Sequence, residues 1–592
     1  MRQAAQRAQI SRTVSVPAPT GGWNTRDALA QQKPNEAVIL DNFFCLPYSV
    51  RVRPGYSNHV TSLATTARTL MSYSPASGGA RLFAATGANI YDVSTAGAAP
   101  APSLTHLSNG SFRKVVFGTP GGHFLVAVNG ADLPIVWNGT SWGNIFSAAF
   151  TVTVTSITSA GTACTVTMSG AHNLQTGMAV TITGATETAY NGSFVIVRTG
   201  ANTFTYTALS VPSASPATGA PVVTPNINAS ITGVLPSTFT HVNAHKSRLF
   251  FIANSSLTAY YLPVNSIGGA AQTLNFESLF TRGGYLMAME TWTVDGGYGL
   301  DDYAAWITSE GQVAIYRGTD PAMPATWSLV GLYQLSEPVG RNCFQKYGGD
   351  VLCITKEGLA PLTKALISSA VTDRMMLTDN IQQTMSDYTT LYGANSGWQI
   401  LLYPEENMLL VNVPTSNTVS YQLVMNTISG AWSQFKNWNA ACWERHQGAI
   451  YFATGTSVAL AWTGNQDNGQ PISFEGLQSF NYAGNPSQLK QVKMLRPLLL
   501  ADGRPNVLLG VNADFDTSTP TGIPSFTQNT ASVWDTATWD AGVWTGDPAI
   551  KRDWQTAFAM GYCFAAHMVG TISVSPLSWI STDYVVEAGG VI

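Results

Sequence analysis

YAAWITSEGQVAIY, residues Tyr303 to Tyr316, alternates apolar and polar side chains on either side of Glu310-Gly311. Successive residues of a strand face opposite sides, so this pattern spells two half-buried strands, joined by a tight turn in which Gly supplies a positive φ. The phrase recurs at Arg81 to Tyr91, Gly122 to Trp137, Lys246 to Tyr261, Gly349 to Leu362, Asn407 to Met425 and Gly448 to Trp462. Once one insertion is set aside, the spacing is about 40 to 60 residues. Gly358 and Gly455 stand at the bends of the Gly349 and Gly448 copies. One such hairpin per period matches a four-stranded blade of about 40 to 50 residues. The sequence therefore predicts a mainly β chain, a β-propeller of six or seven blades.

Composition agrees. Charged residues are 10% of the 592 residues, against about 25% in an average soluble domain. Gly, Thr, Ser, Trp and Tyr are plentiful, as expected of a turn-rich β protein with surface buried against other chains. The formal net charge of −4 provides no overall basic field for nucleic-acid phosphates, which argues against sequence-specific DNA binding. Met1 to Gly22 carries Arg2, Arg7 and Arg12 without an apolar core, so it reads as an arm rather than a secretory signal. No run approaches the roughly 18 apolar residues of a membrane span. Cys45, Cys164, Cys343, Cys353, Cys442 and Cys563 show no zinc-ligand spacing, so reduced, buried thiols are expected, with no metal and no cofactor.

Five regions follow. Residues 1–61 form an N-terminal arm and lead-in segment, 62–149 the first part of the propeller, and 150–223 an inserted small β domain. Residues 224–473 are the remainder of the propeller, and 474–592 a C-terminal β platform or nozzle region. The insertion is marked by the nearly uncharged alternation TVTVTSITSAGTACTVTM and the Pro/Ser/Ala-rich exit VPSASPATGAPVV. It resembles a small β-barrel-like module found in many phage tail proteins, often labelled as similar to a domain of ubiquitin-activating enzymes, a label that implies no ubiquitin chemistry. His172 within it reads as a turn residue, since no Cys or carboxylate stands near in sequence. In the last region LKQVKMLRPLLLADGRPNVLLGVNADF predicts two long strands around a turn at Ala501 to Pro505. Ala370 to Thr390 is the one stretch of helical pattern, an expected interblade connector.

Both ends carry a family resemblance. GGWNTRDALAQQKPNEAVILDNFFCLPYSVRVRPGY (Gly21 to Tyr56) resembles the opening of the tail nozzle proteins of short-tailed phages, also called tail tubular protein B. LLLADGRPNVLLGVNADFDTSTPTG, SVWDTATWDAGVWTG and the terminal SPLSWISTDYVVEAGGVI look like the same group. The resemblance implies a virion tail component assembled in the host cytoplasm. Such a component is a homo-oligomer, a hexameric ring at the distal end of the tail. It continues the portal–adaptor channel, holds packaged double-stranded DNA until ejection, and meets the tail adaptor, tail fibres or spikes, and the host surface. A polyanion must pass through such a channel, so a neutral or acidic lumen is expected and Lys490, Lys493 and Arg496 are assigned to subunit contacts. The alternative is a receptor- or glycan-binding propeller of the tail tip; a third, a polysaccharide hydrolase.

Candidate residues follow from this frame. Leu40, Phe43 and Phe44 are apolar anchors, and Asp41, Arg51 and Arg53 charged partners, for an intersubunit or adaptor interface; Asp41 and Asn42 equally fit a locally capped turn. Asp502 and Arg504, in the charged turn between long strands, are candidates for a channel gate. Trp534, Trp539 and Trp544 recur every five residues beside Asp535 and Asp540, either as packing rings or as a glycan platform. No catalysis is expected. Asp301/Asp302 and Glu405/Glu406, placed in turn-like contexts, are adjacent pairs whose side chains diverge. The motifs GxSxG, HExxH, GxxxxGK and SxDxGxTW are absent.

Overall fold

The deciding stretch folds as its alternation requires. Leu300–Thr308 and Gln312–Gly318 pair antiparallel from Tyr303↔Arg317 to Ile307↔Val313, and Gly311 turns the chain at φ +74°. A Cβ at Gly311 would lie 2.4 Å from the Leu335 carbonyl oxygen, so contact as well as conformation demands glycine. Trp306, on the buried face, packs against Phe250 and Phe276 at ring separations of 5.8 and 4.9 Å, and such contacts between successive sheets form the core. The computed structural model describes residues 11–75, 78–295, 300–363, 376–501, 505–522 and 549–591.

Each of the seven recurring phrases is the second and third strand of a blade, which settles the blade number at seven. Blade 1 is Thr69–Tyr73, Arg81–Ala85, Asn89–Asp92 and Leu104–Thr105; blade 2 is Arg113–Thr119, Gly122–Val128, Ile135–Trp137 and Trp142–Phe146. Blade 3 is Phe239–His245, Arg248–Ala253, Thr258–Tyr261 and Gln272–Asn275; blade 4 is Leu286–Asp295, Leu300–Thr308, Gln312–Gly318 and Trp327–Gln334. Blade 5 has three strands among the described residues, Phe344–Tyr347, Asp350–Thr355 and Gly358–Pro361. Blade 6 is Gln399–Tyr403, Met408–Pro414, Ser420–Asn426 and Trp432–Phe435. Neighbouring first strands contact one another around the ring.

Closure comes from the start of the chain. Blade 7 takes Cys442–His446, Ala449–Thr454 and Ser457–Ala461, and its outermost strand is Tyr56–Thr61, paired antiparallel with Ser457–Ala461. The lead-in segment drawn at 1–61 therefore ends inside the propeller. Between blades 5 and 6 lies the helix Gln382–Tyr392, preceded by a 3-10 turn at Asp379–Ile381. It starts later than the helical pattern from Ala370, whose first six residues lie outside the described set.

The two ends of the chain build one β-sandwich beside blades 6 and 7. One sheet orders Phe43–Cys45, Val50–Val52, Leu577–Val591, Gln488–Ala501 and Ala549–Lys551, with Ser11–Pro17 on Leu577–Val591 and Gln555–Gly561 on Gln488–Ala501. The facing strands are Glu36–Asp41, Gln470–Gln478, Phe564–Ile572 and Asn506–Ala513. Phe43, Phe474, Trp579, Leu499 and Met568 fill the space between. Both strands expected on either side of Ala501 to Pro505 form, as Gln488–Ala501 and Asn506–Ala513, but they do not pair with each other. Gln488–Ala501 pairs with Leu577–Val591 and Gln555–Gly561, whereas Asn506–Ala513 pairs with Phe564–Ile572 in the facing layer. Both strands direct apolar residues, Val492, Leu495 and Val507 among them, into the shared core from opposite sheets, which a two-stranded hairpin cannot do.

Val154 to Pro225 makes two small sheets, Val154–Ala160, Ala163–Met168, Thr203–Thr207 and Val197–Arg198 in one, Gly192–Val195, Ala179–Ala185 and Gly219–Pro225 in the other. Its interior, with Ile157, Val166, Val180 and Phe204, is continuous with Phe83, Trp137 and Trp142 of blades 1 and 2. A bridge from Trp142 to Met178 and an Asn144 Nδ2 donation to the Asn173 carbonyl at 2.7 Å fix the docking.

Candidate functional site

Innermost strands of a propeller end around its axis, and here several ends contribute polar side chains to one concavity. A cavity of about 400 Å³ opens between Arg68 and Thr69 leading into blade 1, Arg113 of blade 2, Thr240 of blade 3, and Arg341 and Asn342 ahead of blade 5. A narrower space of about 180 Å³ continues past Lys114, Gln345, Gln399 and Glu444.

The charges at the mouth are unevenly compensated. Arg113 donates from Nη1 to Asn342 Oδ1 at 2.7 Å, and its Nη2 stands 3.9 Å from Glu290 Oε1. Burial lowers the Arg113 pKa and raises that of Glu290, each opposing the charged form, with the facing charge acting in the other direction. Asn243 donates to the other Glu290 oxygen at 2.9 Å. Arg341 donates to the Leu286 and Met287 carbonyls at 3.2 and 3.0 Å, lies over the Tyr285 ring, and has its pKa lowered by burial. Arg68 is exposed, and its guanidinium has no partner among the described residues. Deeper in, Lys114 is neutralised by Glu444 and also donates to the Leu70 carbonyl. His241 accepts at Nε2 from the Met289 amide at 3.2 Å, while its buried Nδ1 has no partner among the described residues. Burial, reinforced by Arg113 and Arg341, pushes its pKa well below the ordinary histidine range.

The interface candidates have different roles from those expected. Leu40, Phe43, Phe44 and Arg53 are sealed inside the chain and cannot be anchors for another subunit. Arg53 grips Asp467 with both arms, at 2.8 and 2.6 Å, bonds Asn42 Oδ1 through Nε, and stacks over Trp438. Asp41 accepts from Lys436, and burial raises its pKa against that pull. Arg51 approaches Glu406 at 3.6 Å and lies over Trp462, the ring that also meets Phe44 edge-on. Asn42 takes φ +60°, but its side chain does not cap a local turn: it accepts the Lys436 amide and donates to the Ser473 carbonyl, both at 2.8 Å and both distant in sequence.

The basic residues assigned to subunit contacts are also engaged internally. Lys490 donates to the Asn485, Gln488 and Tyr562 carbonyls, Lys493 faces Glu587 at 3.5 Å, and Arg496 pairs with Asp583 while stacking on Trp554. Asp502, Arg504, Trp534, Trp539 and Trp544 lie outside the described residues. His172 closes a turn, accepting the Leu174 amide at Nδ1. All six cysteines are free and buried, and burial drives the Cys343 thiol up to about 12.

Of the acidic pairs, Asp301 and Asp302 sit on a strand rather than in a turn. Asp301 is held by Lys246 and Arg317, whereas Asp302 accepts from Thr293. Glu405 pairs with Arg445 and Glu406 with Arg51. Each member is engaged by different groups, so neither pair addresses a common substrate. Among the described residues no group of three or more His, Cys, Asp or Glu is placed to hold a metal ion, and no helix is long and apolar enough to cross a membrane.

Strand order and ring closure define a seven-bladed β-propeller carrying a sandwich made from both chain ends. No protein-family model matches the chain, and no curated protein does. Among solved structures it is similar to BBS1N in complex with ARL6DN, at 12% identity and a TM-score of 0.23, covering 50% of this chain and 76% of that one. YCF48 bound to D1 peptide matches at 11% and 0.22, covering 71% and 93%. A putative 6-phosphogluconolactonase from Bacteroides fragilis matches at 11% and 0.26, covering 62% and 91%. Likenesses at these scores carry no functional argument, and the fold rests on the strand pairing itself.

Proposed function

We propose that this chain is a structural subunit of a short phage tail, forming with its copies the distal nozzle ring that continues the portal–adaptor channel. In this reading the ring is hexameric, seats on the tail adaptor, retains packaged double-stranded DNA, and lets it pass at the host surface. The chain resides in the virion, performs no catalysis, and offers tail fibres or spikes a mounting surface. The resemblance of Gly21 to Tyr56 and of the C-terminal phrases to nozzle proteins motivates the proposal.

The observation that carries it physically is the outer face of the terminal sandwich. Gln555–Gly561 has no strand on its outer side among the described residues, and Phe558, Met560 and nearby Ile550 are exposed. An unpaired edge bearing large apolar side chains is a template for another chain. That face lies between two of the C-terminal phrases that carry the resemblance, and its strand pairs with Gln488–Ala501. The test is the native mass of the purified protein, alone and after mixing with portal–adaptor complexes. A ring, or a monomer that becomes one on the adaptor, supports the proposal; a stable monomer indifferent to the adaptor overturns it.

A further inference from the structure

The strongest unassigned feature is the mouth of the propeller axis, where Arg68, Arg113 and Arg341 line one cavity of about 400 Å³. They arrive from three separated parts of the chain, and among the described residues the carboxylate paired with any of them is Glu290, at 3.9 Å from Arg113. That separation is beyond hydrogen-bonding range. Among the described residues Arg341 spends Nη1 on two backbone carbonyls, leaving Nε and Nη2 without an acceptor, and the Arg68 guanidinium has none. Guanidinium groups present flat, forked donor sets that match oxyanions two bonds at a time. Neutral hydrogen-bonding side chains complete the lining: Asn342, Asn129 and Thr240.

We propose that this mouth binds a small molecule bearing two or more negative charges on oxyanion groups, a phosphate ester or a polycarboxylate. Arg68 and Arg341 supply the open donors, and Arg113, steadied by Asn342, supplies the third cation. The volume suits a small ligand and excludes a nucleic-acid duplex. Desolvation of Arg113 and Arg341, which lowers both pKa values, is relieved when an anion enters. The site is independent of ring formation and belongs to the single chain.

Calorimetric titration and thermal shift of the full chain, with pyrophosphate and with citrate at constant ionic strength, test it. Saturable binding of at least one probe is expected, with a rise in Tm, and R68Q and R341Q each weaken it at least tenfold. R68Q is the decisive variant, because Arg68 is exposed and its side chain makes no bond among the described residues that folding would miss. Arg282, exposed outside this mouth, provides the control R282Q, expected to bind as wild type. Preference between the two probes assigns the phosphate or the carboxylate source. No saturable binding of either, or equal binding by wild type and R68Q, overturns the proposal.

Discussion

Arg53 carries a full charge with none of its side chain exposed. Such a charge is stable only because Asp467 meets it in bidentate geometry while Asn42 and the Pro54 and Lys436 carbonyls take its remaining donors. The R53A variant leaves the Asp467 carboxylate buried and uncompensated, and should cost about 3–5 kcal/mol in urea unfolding. R53K should recover little, because an ammonium cannot reproduce the planar fork; full recovery would show that charge alone matters. Asp467 lies 414 residues along the chain from Arg53, so no local pattern encodes the pairing. His245 supports a pH prediction. It is 3% exposed, bonds among the described residues through Nδ1 to Thr291 alone, and burial together with Lys246 lowers its pKa to about 4. Unfolded, it titrates near 6.5. Between those values the unfolded chain binds the extra proton, so stability falls as pH drops through that window. The contribution is about 3 kcal/mol. H245N should flatten that part of the decline between pH 7 and 4.5; an unchanged slope would contradict it. His241, also depressed, acts in the same direction and is present in both proteins.

The seven hairpins were legible because each is local: two strands and a turn, written as alternation around glycine within about fifteen residues. First and fourth strands stood out less: they pair with the second and third strands of their own blades, but the recurring phrase is centred on the inner hairpin, and the strand that completes blade 7 comes from the far end of the chain. Tyr56–Thr61 shows why. It closes blade 7 by pairing with Ser457–Ala461, and Val60 is buried with Leu70, Leu82 and Val458. Closure by a strand from the chain's other end makes blade 1 and blade 7 interdependent, since a ring with an unpaired last blade has a free edge. V60D places a carboxylate in that apolar cluster and should destabilise by on the order of 3–5 kcal/mol. Calorimetry together with limited proteolysis reads it: a lowered midpoint and new cleavage around residues 56–64 are expected, while an unaltered midpoint would mean that the strand is not what closes the ring. The same logic explains why the two long strands on either side of Ala501 to Pro505 do not pair with each other. Each needs an apolar face covered, and opposite layers of a sandwich cover both.

At the scale of the whole molecule the chain divides its surfaces by use. The inserted module covers Trp142 and shares a core with blades 1 and 2, so that flank is occupied within the chain. The sandwich, by contrast, spends its charges internally, on Arg53–Asp467, Arg496–Asp583 and the three carbonyls around Lys490, and leaves apolar groups outside. Phe558 is 76% exposed and Met560 54%, both on the outermost strand, with the alternate residue Ala559 turned inward. Had Leu40 and Phe43 been the interface, the sandwich would have lost part of its core, and Phe44 is held instead among Phe435, Trp438 and Phe452 of blades 6 and 7; the exposed alternation in Gln555–Gly561 is the better-placed surface, and its sequence, QTAFAMG, is too short and too ordinary to stand out by pattern. Substituting both as F558E and M560E puts two carboxylates where a copy seated on this strand would bury them without partners. Neither side chain contributes much to the monomer's core, so the thermal midpoint should stay within about 2 °C of the unsubstituted monomer's, a shift on the order of 0.5 kcal/mol as befits surface positions. Native mass spectrometry on the pair of variants, with and without adaptor, should then show monomers where the unsubstituted chain forms a ring. A ring that survives both charges would move the subunit contact to another face of the molecule and remove the physical support that this strand lends to a nozzle.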